Sequence, residues 1–236
     1  LAERGFESDE ISPLKPNDLF VAVESQTDTD AEQATSRAYA AMFEARSKSG
    51  NDSSSERAPV NLDEALLRQP TSSIAMVSVP GDYAALEAHK ALSRGLDVLL
   101  FSDNVSVEDE RSLKDHAAKR GRLLMGPGAG TAQLGGVGLG FANKVRPGRV
   151  GIAAAAGTGA QEAMVLLHHW GLGVSQVIGL GGRDLSSDIG GRMASMALRA
   201  LEEDPDTELI LLVSKPPAPE VANELFSQPR TKPTVM

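Results

Sequence analysis

The chain of 236 residues contains no cysteine. Disulfides, thiolate metal sites and cysteine nucleophiles are excluded by that alone. Aromatic residues make up only 4%. Bulk must therefore come from Ala, Leu and Val around Gly, a composition that suits helices packed closely on a parallel sheet. Histidine occurs four times, at His89, His116, His168 and His169, and no pair has a metal-ligand spacing such as HExxH. His168 and His169 end a predicted helix, where the dipole favours a cation for structural reasons alone, so no histidine is assigned to catalysis. Long apolar runs are absent too; the longest are of strand length, short of the ~20 residues of a membrane span. Basic residues are in deficit, 23 against 32 acidic for a net charge of −9. That disfavours non-specific nucleic-acid binding but leaves small anions open, because helix-start amides bind them whatever the net charge. No signal-peptide pattern opens the chain, and the cytoplasm is the expected location. Leu1 stands where a start Met would be, and the last five residues read as a turn entering a strand. The chain is therefore expected to be a fragment or truncated product.

What is present is a regular alternation. After a polar stretch to residue 18, a short strand is predicted at 20–23 and a helix at 30–46, followed by a mobile polar linker at 47–59 (SKSGNDSSSERAP). Strands are then predicted at 74–79, 97–101 and 122–125, with helices at 83–93 and 106–120. Ser106 caps the second helix and Gly95 and Gly121 follow the helix ends. A glycine-rich connector spans 126–140. Beyond it come strands at 150–154, 175–178 and 208–213 and helices at 158–169, 188–203 and 219–226. Such alternation specifies an α/β fold of parallel, doubly wound sheets. The expected organisation is an amino-terminal segment and linker (1–60), a first α/β unit (61–145) and a second (146–236).

Ligands of open parallel sheets sit beyond the carboxyl ends of the strands, so each strand-to-helix turn is a candidate site. At Gly157, Thr158 and Gly159 a turn opens a helix with amides that suit a phosphate or carboxylate; alternatively Thr158 and Gln161 form a capping box that satisfies those amides internally. The turn lacks the Lys of a nucleotide P-loop. Gly181 and Gly182 read either as an amide nest, with Arg183 and Asp184 beside a ligand, or as a tight turn with a surface Arg–Asp pair. Lys215 either reaches a central ligand or is a solvated lysine before a proline turn. Ser102, Asp103 and Asn104 offer polar groups at a strand end, or simply ordinary turn chemistry. Gly126 and Gly128 lie in a loop that either wraps a phosphate-bearing ligand or crosses between units.

Val77-Ser-Val-Pro80, Gly126-Pro127, Pro147-Gly-Arg-Val-Gly-Ile152, Gly157-Thr158, Gly179-Leu-Gly-Gly182 and Asp204-Pro-Asp-Thr-Glu208 occur in the order found in α subunits of succinyl-CoA synthetase. The phrases LLFSDNVSVEDE, IGLGGRDLS and LVSKPPAP resemble more narrowly the FdrA group of acyl-CoA-synthetase-like proteins. The resemblance covers residues 70–236. It implies a CoA-binding-type Rossmann-like unit over 61–145, followed by a flavodoxin-like succinyl-CoA-synthetase-type unit over 146–236 that is truncated at its carboxyl end. It also implies CoA, phosphate or an acyl or carbamoyl phosphate as ligand, and a partner subunit or homo-oligomer. True ligases of this kind work through a phosphohistidine, which would lie beyond Met236. Their glutamate facing that histidine aligns with Lys215, their GPNC loop is Gly126-Pro-Gly-Ala129 here, and Val23-Glu-Ser-Gln-Thr-Asp28 stands in place of their first glycine-rich CoA loop. The resemblance leaves three activities open: acid–thiol ligation, a subunit of an oxamate carbamoyltransferase in allantoin breakdown, and a non-catalytic assembly subunit.

Overall fold

The computed structural model describes residues 21, 23–43 and 57–236 and divides into the units Leu1–Arg57 and Ala58–Met236. In the first, helix α1 (Asp28–Phe43) starts at Thr27, whose hydroxyl oxygen accepts from the Asp30 amide at 3.2 Å. Residues 20 and 22 of the expected strand, residues 44–46 of the expected helix and 47–56 of the expected linker lie outside the described residues. Residues 21 and 23 have no regular structure.

The second unit opens with α2 (Leu62–Arg68), capped by Asn61. Three strands follow, β1 (Ile74–Val77), β2 (Asp97–Leu100) and β3 (Leu124–Met125), joined by α3 (Gly81–Ser93) and α4 (Val107–Lys119). They form a parallel sheet in the order β1-β2-β3. The Ser106 hydroxyl caps α4 by accepting from the Asp109 amide at 3.0 Å. Gly121, in the left-handed region at φ 63°, turns the chain out of α4.

The stretch read from sequence as a connector holds a hairpin, β4 (Thr131–Leu134) and β5 (Val137–Gly140), and that hairpin joins a second sheet. Its other members are β6 (Pro147–Ala154), β7 (Val174–Gly179), β8 (Leu209–Val213) and β9 (Thr234–Val235), in the order β5-β4-β7-β6-β8-β9. Strands β7, β6, β8 and β9 are parallel, and β4 pairs antiparallel with β7. Helices α5 (Gly157–His169), α6 (Arg192–Glu203) and α7 (Pro219–Ser227) make the crossovers. Helix α6 starts later than the expected 188 because Gly190 and Gly191 both take positive φ, 78° and 68°.

Period-two alternation along β6 sorts its side chains between two cores. Val150, Ile152 and Ala154 pack with Ala160, Met164 and Leu167 of α5. Ala153 faces the larger core, which holds Leu198 and Leu201 of α6 and also Leu113 of α4 and Leu99 of β2. The two sheets therefore share one interior, with α4 and α6 between them. The chain leaves β6 to one side through α5 to reach β7, then returns across β6 to β8. That reversal puts a switch-point crevice beyond Ala154 and Val213, where open α/β sheets hold ligands. Among the described residues no helix is long and apolar enough to cross a membrane.

Candidate functional site

A helix start offers ligand-ready amides only if nothing in the protein already uses them. In the second unit most are taken. The backbone of Asp103 and Asn104 covers the start of α3; a Cβ on Gly81 would lie 2.5 Å from the Asp103 carbonyl oxygen. Ser106 caps α4, whose first turn carries Glu108, Asp109 and Glu110. At α6 the Asp184 carboxylate accepts from the Met193 and Ala194 amides at 3.3 and 2.8 Å. Helix α7 opens with proline and carries Glu220. Helix α5 is different: no side chain caps it and no acid lies in its first turn.

The capping box that Thr158 and Gln161 spell in sequence is not made. Gln161 turns away, and its Nε2 donates to Thr131 Oγ1 at 3.2 Å and to the Phe141 carbonyl at 2.9 Å. Among the described residues the Gly157, Thr158 and Gly159 amides have no acceptor. Those of Gly157 and Thr158 open into a cleft of about 250 Å³ that also receives Gly181, Gly182 and Lys215. Among the described residues the Gly181 and Gly182 amides are likewise unpaired, and exposed Lys215 is the one ionisable side chain lining the cleft. A larger groove of about 630 Å³ lies at the opposite, amino-terminal ends of the strands, beside Pro147 and Val174. No helix starts there, so the smaller cleft has the better chemistry for an anion.

The structure gathers Gly128, Gly157, Thr158, Gly181, Gly182 and Lys215 around this cleft and gives the other candidates different work. Gly159 packs α5 on the sheet; a Cβ there would lie 2.8 Å from Val213 Cγ1. Gly126 sits tight under the Leu100 carbonyl. Ser102 is buried and ties β2 to the end of β1, donating to the Val79 carbonyl at 2.6 Å and accepting from its amide at 3.0 Å. Asp103 accepts from the Asn104 side chain at 3.0 Å, away from the cleft. Arg183 does not reach for a ligand: its Nε donates to Glu110 at 2.7 Å and its Nη2 to the Val105 carbonyl at 2.7 Å. Asp184 is fully buried and accepts from Lys114 Nζ at 2.7 Å.

Sequence reasoning missed the cluster that Arg183 and Asp184 join. Lys114 is also fully buried, with Nζ 2.7 Å from Asp184, 3.0 Å from the Leu180 carbonyl and 2.8 Å from Glu110 Oε1. The last approach is an ion pair whose angle is not that of a hydrogen bond. Glu110 and Lys114 are four apart on a helix, a spacing that reads equally well as a solvated pair. Their partners are some seventy residues distant, and no local signal announces them. The Leu180 carbonyl held by Lys114 belongs to the residue just before the two cleft glycines. Gly181 takes φ 84°, and a Cβ on it would lie 2.7 Å from the Gly126 carbonyl carbon; only glycine lets the loops after β3 and β7 touch.

The histidines lie elsewhere. His89 and His116 face each other with Nδ1 atoms 2.8 Å apart, and Arg120 Nε donates to His116 Nε2 at 2.7 Å. Partial burial, then His89, Arg120 and Lys119, hold His116 below its ordinary pKa. Among the described residues no group of three or more His, Cys, Asp or Glu could hold a metal ion.

Residues 145–236 match the family model of the CoA binding domain, the half that the sequence resemblance had given to the succinyl-CoA-synthetase-type unit. The uncharacterized protein YahF of Escherichia coli (strain K12) is 44% identical over 238 residues, covering 100% of this chain and 45% of YahF. The alpha subunit of succinate–CoA ligase [ADP-forming] from Aquifex aeolicus is 28% identical over 63% of this chain and 50% of that one. The malate–CoA ligase alpha subunit of Methylorubrum extorquens is 29% identical over 67% and 56%. This chain thus spans about half the length of these curated relatives. ATP citrate lyase from Methanothrix soehngenii, solved with citrate and coenzyme A, superposes with a TM-score of 0.56 at 20% identity over 64% of this chain and 26% of that one. The dinucleotide-forming acetyl-coenzyme A synthetase 1 of Ca. Korarchaeum cryptofilum gives 0.52 at 20% over 69% and 37%. The chain therefore has an α/β fold shared with acyl-CoA synthetases and ATP citrate lyase, and its residues 145–236 are similar to CoA binding domains.

Proposed function

We propose that the cleft at the start of α5 binds the phosphoryl group of a small acyl phosphate or related oxyanion, within a protein of the acyl-CoA-ligase type. One observation carries the reading. The unpaired amides of Gly157 and Thr158 meet those of Gly181 and Gly182 and Lys215 on one cleft that, among the described residues, is lined by no acidic side chain. Amides and a lysine neutralise phosphate charge without further rearrangement, and a helix start adds its dipole. Similarity to CoA binding domains and to succinate– and malate–CoA ligases supports an acyl group as the other end of the ligand. Both ligase relatives are named as alpha subunits, and the reading includes a partner subunit on that likeness.

The cleft is too small to enclose coenzyme A. A cleft of about 250 Å³ is smaller than sites that enclose drug-sized ligands, roughly 300–1,000 Å³. At the first sheet the α3 start is covered and the α4 start is capped and acidic, so neither offers free amides to a pyrophosphate. The FdrA-type assignment belongs to this reading through the phrases at 99–110, 178–186 and 212–219. Carbamoyl phosphate has the same phosphoryl end and is a probe of the same site, although none of the relatives above carries the name of a carbamoyltransferase.

Calorimetric titration with inorganic phosphate, acetyl phosphate, carbamoyl phosphate and CoA tests the reading. Phosphate and the acyl phosphates are expected to bind, and Lys215→Ala to weaken them at least about tenfold, the loss of one charge-assisted contact. Failure of all four probes to bind, or unchanged affinity in Lys215→Ala, refutes it.

A further inference from the structure

Thr131 is the buried polar side chain in the wall of the cleft, 3% exposed. Its hydrogen bonding is incomplete in a way that points to a ligand. Gln161 Nε2 lies 2.9 Å from the Phe141 carbonyl, which only accepts, so the atom facing it is the amide nitrogen and not the oxygen. That nitrogen donates its second proton to Thr131 Oγ1 at 3.2 Å. Thr131 is thereby the acceptor toward Gln161, and its own hydroxyl proton has no acceptor among the described residues. A buried hydroxyl with an unmet proton costs stability. An acceptor oxygen in the cleft would meet it.

We infer that Thr131 is a ligand-facing hydrogen-bond donor of this cleft, held in that role by Gln161, and that the pair reads an unprotonated phosphoryl oxygen. The inference rests on the phosphoryl-binding reading above and deepens it. With Thr131 added, the groups around the ligand are backbone amides, a hydroxyl donor and an ammonium. Such a lining favours a group whose oxygens all accept, as the phosphoryl end of an acyl phosphate does. Gln161 is then a positioning residue: it touches no ligand and sets which way the hydroxyl proton points. The residue that sequence spells as half of a helix cap acts instead across the cleft wall. Capping the helix and orienting Thr131 are exclusive uses of one side chain, and the second leaves the Thr158 amide free as well.

The test is calorimetric titration of inorganic phosphate into the full chain and its variants, with melting of the unliganded protein alongside. Thr131→Val keeps the shape and removes the donor. It is expected to weaken phosphate about tenfold or more, as for a hydrogen bond to a charged group, while Thr131→Ser stays within about threefold of wild type. Gln161→Glu presents an acceptor to Thr131 and draws its proton away from the cleft. It is expected to weaken phosphate more in the Thr131 chain than in the Thr131→Val chain, a coupling that a merely structural glutamine would not produce. Should Thr131→Val not fold, Thr131→Ala carries the same comparison against Thr131→Ser. Wild-type affinity in the donorless variant, with Lys215→Ala still impaired, overturns the role of Thr131 and leaves the phosphoryl reading standing. Absence of phosphate binding in the wild-type chain overturns both.

Discussion

Replacing Lys114 by methionine takes one cation from a buried cluster and leaves two carboxylates behind. Removing one member of a buried ion pair typically costs about 3–5 kcal/mol, because the remaining charge is stranded away from water. Here each carboxylate keeps something. Asp184 still accepts from the Met193 and Ala194 amides, and Glu110 still meets Arg183 Nε at 2.7 Å. The Leu180 carbonyl loses its ammonium donor outright. The low end of the range applies, about 3 kcal/mol, which for a unit of this size is a fall in melting temperature of about 6–12 °C. The methionine stem fills much of the lysine's volume, so a cavity adds little. Urea unfolding of Lys114→Met against wild type gives the number directly. A loss under about 1 kcal/mol, the scale of an exposed pair, would mean that the cluster is hydrated and that the reasoning from burial is wrong. A second consequence separates this from generic destabilisation. Well below its melting temperature, Lys114→Met should bind phosphate more weakly, because the turn carrying the Gly181 and Gly182 amides has lost its anchor.

Other substitutions probe the same geometry. Gly181→Ala places a side chain at φ 84° with its Cβ 2.7 Å from the Gly126 carbonyl carbon; a loss of at least about 2 kcal/mol is expected from strain and crowding, and a melting temperature within a degree of wild type would refute the close approach of the two loops. For His116 the sign follows from its lowered pKa. The unfolded chain binds the proton more readily than the folded one, so this contribution to stability is complete above the ordinary value of 6.5 and declines as the pH falls through and below it. Urea midpoints between pH 7.5 and 5.5 should fall less in His116→Gln than in wild type; equal falls would remove His116 as a cause.

Much of the fold could be read from the chain because its determinants are local. Buried parallel strands are continuous apolar runs, and the strands at 97–101 and 208–213 appear close to where the runs predict them. Ser106 and Gly121 mark the ends of α4 by their own chemistry. The hairpin β4–β5 was hidden because TAQL and VGLG carry little β-branched or aromatic residue content, and what makes them strands is their pairing with each other and that of β4 with β7, some forty residues away. The cleft was half legible for the same reason. Glycines and a helix start are local signals, and they named Gly157, Thr158, Gly181 and Gly182. Whether Arg183 and Asp184 face a ligand depends on Glu110 and Lys114 arriving from another helix, and that is a tertiary fact. Gln161 shows the limit most clearly: a sequence spelling a helix cap is outbid by Thr131 and the Phe141 carbonyl.

These long-range contacts make the cleft a property of the whole second unit. The match to CoA binding domains begins at residue 145, yet Gly128 and Thr131 in the cleft wall precede it. So does Lys114, which fixes the turn of Gly181 and Gly182 from behind. Helix α5 supplies the free amides, and the hairpin's Thr131 holds Gln161, the side chain that would otherwise reach the Thr158 amide. The loop after β3 meets the loop after β7 only because Gly181 lacks a side chain. Sequence between residues 105 and 141 therefore shapes the anion site as directly as the turn at Gly157 does. The physical reason is that an open strand end needs walls, and in this chain the walls come from the preceding half of the unit.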